Sequence, residues 1–151
     1  MSLALPSGVS MRPLRRIVDA RGVVMRMLRA DDAEFQAFGE IYFSGVQHGA
    51  VKGWRRHRYS TSNLAVPVGE IRLVLVDLRE ESPTRGLVAD LALGESNYCL
   101  VTVPPGLWTA WEGRAAGLSL VANCASLPHD PAEVDAADLD DPRIPSPWRR
   151  A

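Results

Sequence analysis

The segment Val51-Lys52-Gly53-Trp54-Arg55-Arg56-His57-Arg58 gathers the side chains of this 151-residue chain best suited to proton transfer and anion binding. A strand alternates its side chains, so Arg55 and His57 share one face while Trp54, Arg56 and Arg58 share the other. Barrel interiors are normally apolar, and a strand charged on both faces therefore points to one face lining a polar cavity. The competing reading is an edge strand with solvated arginines. On the cavity reading, His57 is a candidate general base and the neighbouring arginines are candidate phosphate anchors. Of the seventeen basic residues sixteen are arginine, and Lys52 is the one lysine. Coding bias accounts for the arginines. A compact ammonium differs chemically from a planar guanidinium, so position 52 is a candidate for a role that needs that difference.

Other candidates are fewer. Trp108 and Trp111 follow Pro104-Pro105 and could form a stacking platform for a base or sugar, or pack in the core. Asn123 interrupts an apolar run (Leu120-Val121-Ala122-Asn123-Cys124) and needs a partner if buried, which makes it a candidate cavity residue. Arg55 stands where a second histidine would make a His-x-His pair, and His48 and His129 lie in unrelated contexts, so no metal is expected. Asp138, Asp140 and Asp141 lack the glycine and glutamate of a calcium loop. No phosphate-cradling glycine loop, nucleophile signature or dinucleotide fingerprint is present, and no cofactor is expected. Cys99 and Cys124, without a CxxC pair, read as buried free thiols.

The elements that must position these residues are short apolar runs punctuated by Gly, Pro, Asn and Ser. They are GEIYFSGV, GAVKGWRRHRYS, NLAVPVGEIRLVLVDLR, GLVADLALG, NYCLVTVPPGLWTAW and GLSLVANCAS. Runs of this length and spacing predict an antiparallel sandwich or barrel, since no long amphipathic helix separates them. In Ile71–Leu78 the sets Ile71, Leu73, Leu75, Asp77 and Arg72, Val74, Val76, Leu78 are both mostly apolar, so both faces of that strand are expected to be substantially buried. Residues 12–30 carry short strands broken at Asp19–Gly22, and Asp31–Phe38 reads as a short helical turn or a loop. Residues 1–11 read as a flexible leader, leaving 12–151 as one domain. From Pro128 onward, six acids and no base lie between Asp130 and Asp141, followed by three prolines and Trp148; this predicts an irregular acidic connector that packs Trp148 onto the barrel. With 17 basic and 18 acidic residues there is no polyanion-binding field, so no nucleic-acid partner is expected. No apolar run reaches the roughly 18 residues of a membrane span, and a cytoplasmic protein with no membrane partner is expected.

In order along the chain, Asp19-Ala20-Arg21-Gly22, Val51-Lys52-Gly53-Trp54, Val76-Asp77-Leu78-Arg79 with Ser82-Pro83-Thr84-Arg85-Gly86, Val103-Pro104-Pro105-Gly106 and Asp140-Asp141-Pro142 with Trp148 resemble the dTDP-4-dehydrorhamnose 3,5-epimerase family. The resemblance spans about residues 15 to 148 and is most specific at V-D-L-R-x-x-S-P-T-x-G. It implies an all-β double-stranded β-helix (cupin jelly-roll), a homodimer, and metal-free deprotonation of a nucleotide-linked 4-keto-6-deoxy sugar. Arg21 matches the family's phosphate-contacting arginine, often contributed across the dimer, and Lys52 its basic cavity-strand residue. The family's base histidine aligns without gaps to Arg55, with His57 two residues on; its acid tyrosine falls at or near Ala122. The aspartate that orients that histidine belongs to a longer C-terminal segment which this chain lacks. The expectation is an epimerase or isomerase with His57 as base and Lys52 or Arg55 stabilising the enolate. Arg21, Lys52, Arg55, Trp111 and Asn123 are expected to bind the nucleotide sugar. The alternative is a non-catalytic nucleotide-sugar-binding or auxiliary cupin.

Overall fold

The structure, a computed structural model, describes residues 3–149. Twelve strands run through it: β1 (Ser10–Pro13), β2 (Arg16–Asp19), β3 (Gly22–Met25), β4 (Glu40–Val46), β5 (Val51–His57) and β6 (Ser62–Val68), then β7 (Glu70–Asp77), β8 (Val88–Gly94), β9 (Cys99–Val103), β10 (Leu107–Gly113), β11 (Ser119–Ala125) and β12 (Val134–Ala136). A single 3-10 turn, Pro131–Glu133, precedes the last of them. The segment 31–38 holds turns and bends and no helix.

Two antiparallel five-stranded sheets, ordered β1-β9-β6-β11-β4 and β12-β5-β10-β7-β8, face each other as the expected jelly-roll, and β2-β3 forms a separate hairpin. Both faces of β7 are buried, as its alternation requires. Ile71, Leu73 and Leu75 enter the core between the sheets, while Val74 and Val76 join Trp54, Trp108, Ala110 and Ile144 in a second cluster outside it. The turn between β6 and β7 needs a glycine. Gly69 has φ +79°, and a Cβ there would meet Ser119 Oγ at 2.4 Å.

Of residues 1–11, expected as a flexible leader, the first two lie outside the described residues and 3–11 are placed against the barrel. β1 pairs with β9, Leu5 and Val9 pack on the core, and Ser7 N donates to Thr84 Oγ1 at 2.7 Å. Backbone amides with partners in the sheet make this segment part of the fold. The acidic tail is more than a connector. Its Trp148 does pack back, with ring centroids 5.8 Å from Trp54, but Val134–Ala136 also adds a strand to the edge of β5. The tail's Ile144, 1% exposed, seals the outer apolar cluster. No described helix is long and apolar enough to cross a membrane.

Candidate functional site

Between the sheets, beyond the apolar core, a cavity of about 400 Å³ opens. One wall is β5 and β10, contributing Lys52, Gly53, Arg55, His57, Thr109 and Trp111. The facing wall is β4, β6 and β11, contributing Tyr42, Ser44, Ser62, Leu64 and Asn123. Strict alternation would separate Lys52 from Arg55 and His57. The register against β10 shows why it does not. Thr109 pairs with Arg55 and Trp111 with Lys52, so two residues of β5 oppose one of β10. This bulge at Gly53-Trp54 shifts the parity of the strand and brings all three basic side chains to the cavity. A Cβ at Gly53 would point away from the cavity, toward Leu139, and Trp54 is fully buried in the outer cluster.

His57 Nδ1 lies 2.5 Å from Glu133 Oε1. Glu133 is 6% exposed, and the other oxygen of its carboxylate accepts from the backbone N–H of Tyr59 at 3.1 Å and Ser60 at 3.2 Å. Burial pushes the Glu133 carboxyl up, but the hydrogen bonds from His57 and the two amides outweigh it and hold the group below its ordinary value. An ionised carboxylate is acceptor-only, so Nδ1 carries the proton and Nε2 is left as the acceptor of the neutral ring. Asp130 accepts from Ala132 N at 2.9 Å and so fixes the turn that presents Glu133, and β12 then pairs Val134 with His57. The sequence reading had no carboxylate for this histidine. The structure supplies one from the tail, 76 positions downstream.

The remaining cations divide by face. Lys52 Nζ donates to Ser44 Oγ at 2.7 Å across the cavity, and Arg55 Nη1 donates to the Trp54 carbonyl at 3.1 Å. On the outer face Arg56 and Arg58 both bind Asp135, which holds that carboxyl down to about 2, and Arg56 stacks on Trp108 at 4.8 Å. On the facing wall Asn123 Oδ1 accepts from Asn63 N at 3.2 Å, which aims the Asn123 amide N–H at the Tyr42 hydroxyl oxygen, 2.9 Å away.

Of the residues singled out in the sequence, the fold brings Lys52, Arg55, His57, Trp111 and Asn123 to one cavity. Arg21 is elsewhere. It lies in the β2–β3 turn, its side chain 90% exposed and paired with Asp19. Trp108 belongs to the outer cluster. His48 bonds the Ala115 carbonyl and His129 lines a separate groove, so the three histidines do not converge. Among the described residues no three His, Cys, Asp or Glu side chains cluster as metal ligands. Cys99 and Cys124 are buried free thiols, pushed up by burial. Sequence reasoning missed Tyr42, Ser44 and Glu133. The alternation Tyr42, Ser44, Val46 against Ile41, Phe43 could have placed the first two, because Val46 is an obvious core residue and shares their face.

A jelly-roll whose interior holds a carboxylate-oriented histidine, two further cations and a mixed polar lining has the architecture of a cupin with one candidate site in the cavity between its sheets. The family profile described as dTDP-4-dehydrorhamnose 3,5-epimerase matches residues 3–151, and this chain belongs to that family. A crystal structure of a dTDP sugar isomerase from Desulfovibrio desulfuricans G20 is similar at 44% identity and a TM-score of 0.92, covering 95% of this chain and 92% of that one. Two sequence relatives are the probable low-salt glycan biosynthesis epimerase of Haloferax volcanii (30% identical, 91% of this chain and 86% of that one) and the spore coat polysaccharide biosynthesis protein SpsL of Bacillus subtilis (26%, 93% and 95%).

Proposed function

We propose that this chain epimerises or isomerises a nucleotide-linked 4-keto-6-deoxy sugar by removing a proton from the carbon beside the ketone. The observation that carries this reading is the His57–Glu133 pair facing a cavity that also holds Lys52 and Arg55. His57 Nε2 takes the α-proton, and the electron pair moves onto the ketone oxygen. Lys52 or Arg55 meets the negative charge that develops there, and Glu133 stabilises the imidazolium. Trp111 and Asn123 contact the sugar or base. Similarity to the Desulfovibrio dTDP sugar isomerase supports a dTDP-linked substrate. Arg21 reaches a phosphate across a homodimer; its absence from the cavity lining of its own chain, its exposure and the exposed Val18, Val23 and Val24 of its hairpin support that arrangement. Buried free thiols support a reducing, cytoplasmic setting.

The test is His57→Asn. Turnover is expected to disappear while thymidine diphosphate still raises the melting temperature by linkage; turnover equal to wild type discards the base assignment. A second reading, a binding protein that has lost its chemistry, is favoured by Arg55 standing where the family aligns its histidine. It predicts the same melting shift and no turnover in the unaltered chain.

A further inference from the structure

Inverting a stereocentre takes a base on one side of the carbon and a proton donor on the other, and the two sheets supply opposite sides. His57 is on the β5 wall; the facing wall offers the hydroxyls of Tyr42, Ser44 and Ser62. A phenol is a far stronger acid than an aliphatic hydroxyl, and Ser44 already accepts from Lys52. The Tyr42 oxygen accepts from Asn123 Nδ2 at 2.9 Å, and Asn123 is itself fixed by the Asn63 backbone N–H. With that acceptor position filled by an amide, the O–H is free to point at a ligand. Tyr42 is 38% exposed, at the rim of the cavity and not packed in the core.

Resting on the epimerase reading, we propose that Tyr42 is the catalytic acid that protonates the enolate from the face opposite His57, held in aim by Asn123. The balance closes. His57 Nε2 accepts the α-proton and becomes imidazolium, and the C–H pair passes to the ketone oxygen. The Tyr42 O–H proton then adds to the same carbon from the other side, the enolate collapses to the ketone, and a phenolate remains. Solvent takes one proton from the imidazolium and returns one to the phenolate. The chain thus carries its donor on β4, two residues from the cavity-lining Ser44, and not on the late strand where the family's tyrosine would align with Ala122.

The experiment is Tyr42→Phe with dTDP-4-keto-6-deoxyglucose in D₂O, following deuterium entry at the α-carbons and formation of the epimer separately. Wash-in by His57 is expected to persist within a few-fold while epimer formation falls about 100-fold or more, the usual span of a general acid. Epimer formation at the wild-type rate overturns the proposal. So does equal loss of both, which would make Tyr42 a binding group. Asn123→Ala keeps the phenol and loses its aim; it is expected to lower the ratio of epimer to wash-in by a smaller factor, and an unchanged ratio counts against Tyr42 even if the phenylalanine variant folds poorly. Wild-type protein without any wash-in is a different result, because it removes the epimerase reading itself.

Discussion

Glu133 decides which nitrogen of His57 is left to face the cavity. Glu133→Gln keeps the acceptor for the Tyr59 and Ser60 amides but loses the charge, and its amide can donate to the ring and reverse the tautomer. Turnover is expected to fall about 100-fold with dTDP binding retained, measured by kcat and by calorimetry. A second carboxylate serves the fold. Asp77 is fully buried and accepts from Arg79, Ser82 and Thr84. Arg79 foremost, against the opposing effect of burial, holds its carboxyl far below the usual range. A depressed carboxylate contributes stability that is present above its unfolded value and lost as pH falls through the folded one. Melting temperature should therefore be flat above about pH 5 and fall on acidification. Asp77→Asn should lower stability by about 2–3 kcal/mol near neutrality, less than for a wholly buried pair because Arg79 is partly exposed, and should flatten the acid limb.

At the scale of elements, β5 and the tail make the site together. The bulge at Gly53-Trp54 sets Lys52 beside Arg55 and His57, and β12 sets Glu133 behind the ring. Ile144 closes the cluster that locks the tail down. Ile144→Ala is expected to cost about 2–4 kcal/mol, read by denaturant unfolding, and to lower activity through a loosened Glu133. Much of this was legible in advance. Short apolar runs gave the strands, the two-sided pattern of Ile71–Leu78 predicted two buried faces, and Asn123 stood out as a polar intrusion that now lines the cavity. Lys52 was singled out by type, but alternation alone puts it on the wrong face. A bulge depends on the partner strand, which no local pattern reveals. Glu133 was hidden among six acids whose charge reads as solvated, and only the pairing of β12 with β5 distinguishes it.

Across the whole molecule, the β2–β3 hairpin is the element whose apolar side chains stay exposed among the described residues beside a candidate phosphate anchor: Ile17, Val18, Val23 and Val24 flank Arg21. If a second copy receives this hairpin, light scattering gives about twice the 16.5 kDa chain mass. Arg21→Ala then weakens dTDP binding about 10-fold, in line with losing one charge-assisted contact. Unchanged affinity would contradict a phosphate role for Arg21. Proton abstraction by His57 in the cavity between the two sheets is the step on which the proposed epimerisation rests. Its most direct measurement is proton NMR of dTDP-4-keto-6-deoxyglucose in D₂O, with wild-type protein and with His57→Asn. Deuterium entry at a carbon beside the ketone, dependent on the protein and abolished by the substitution, is the predicted result. Wild-type signal no faster than the protein-free control at high protein concentration would contradict the claim.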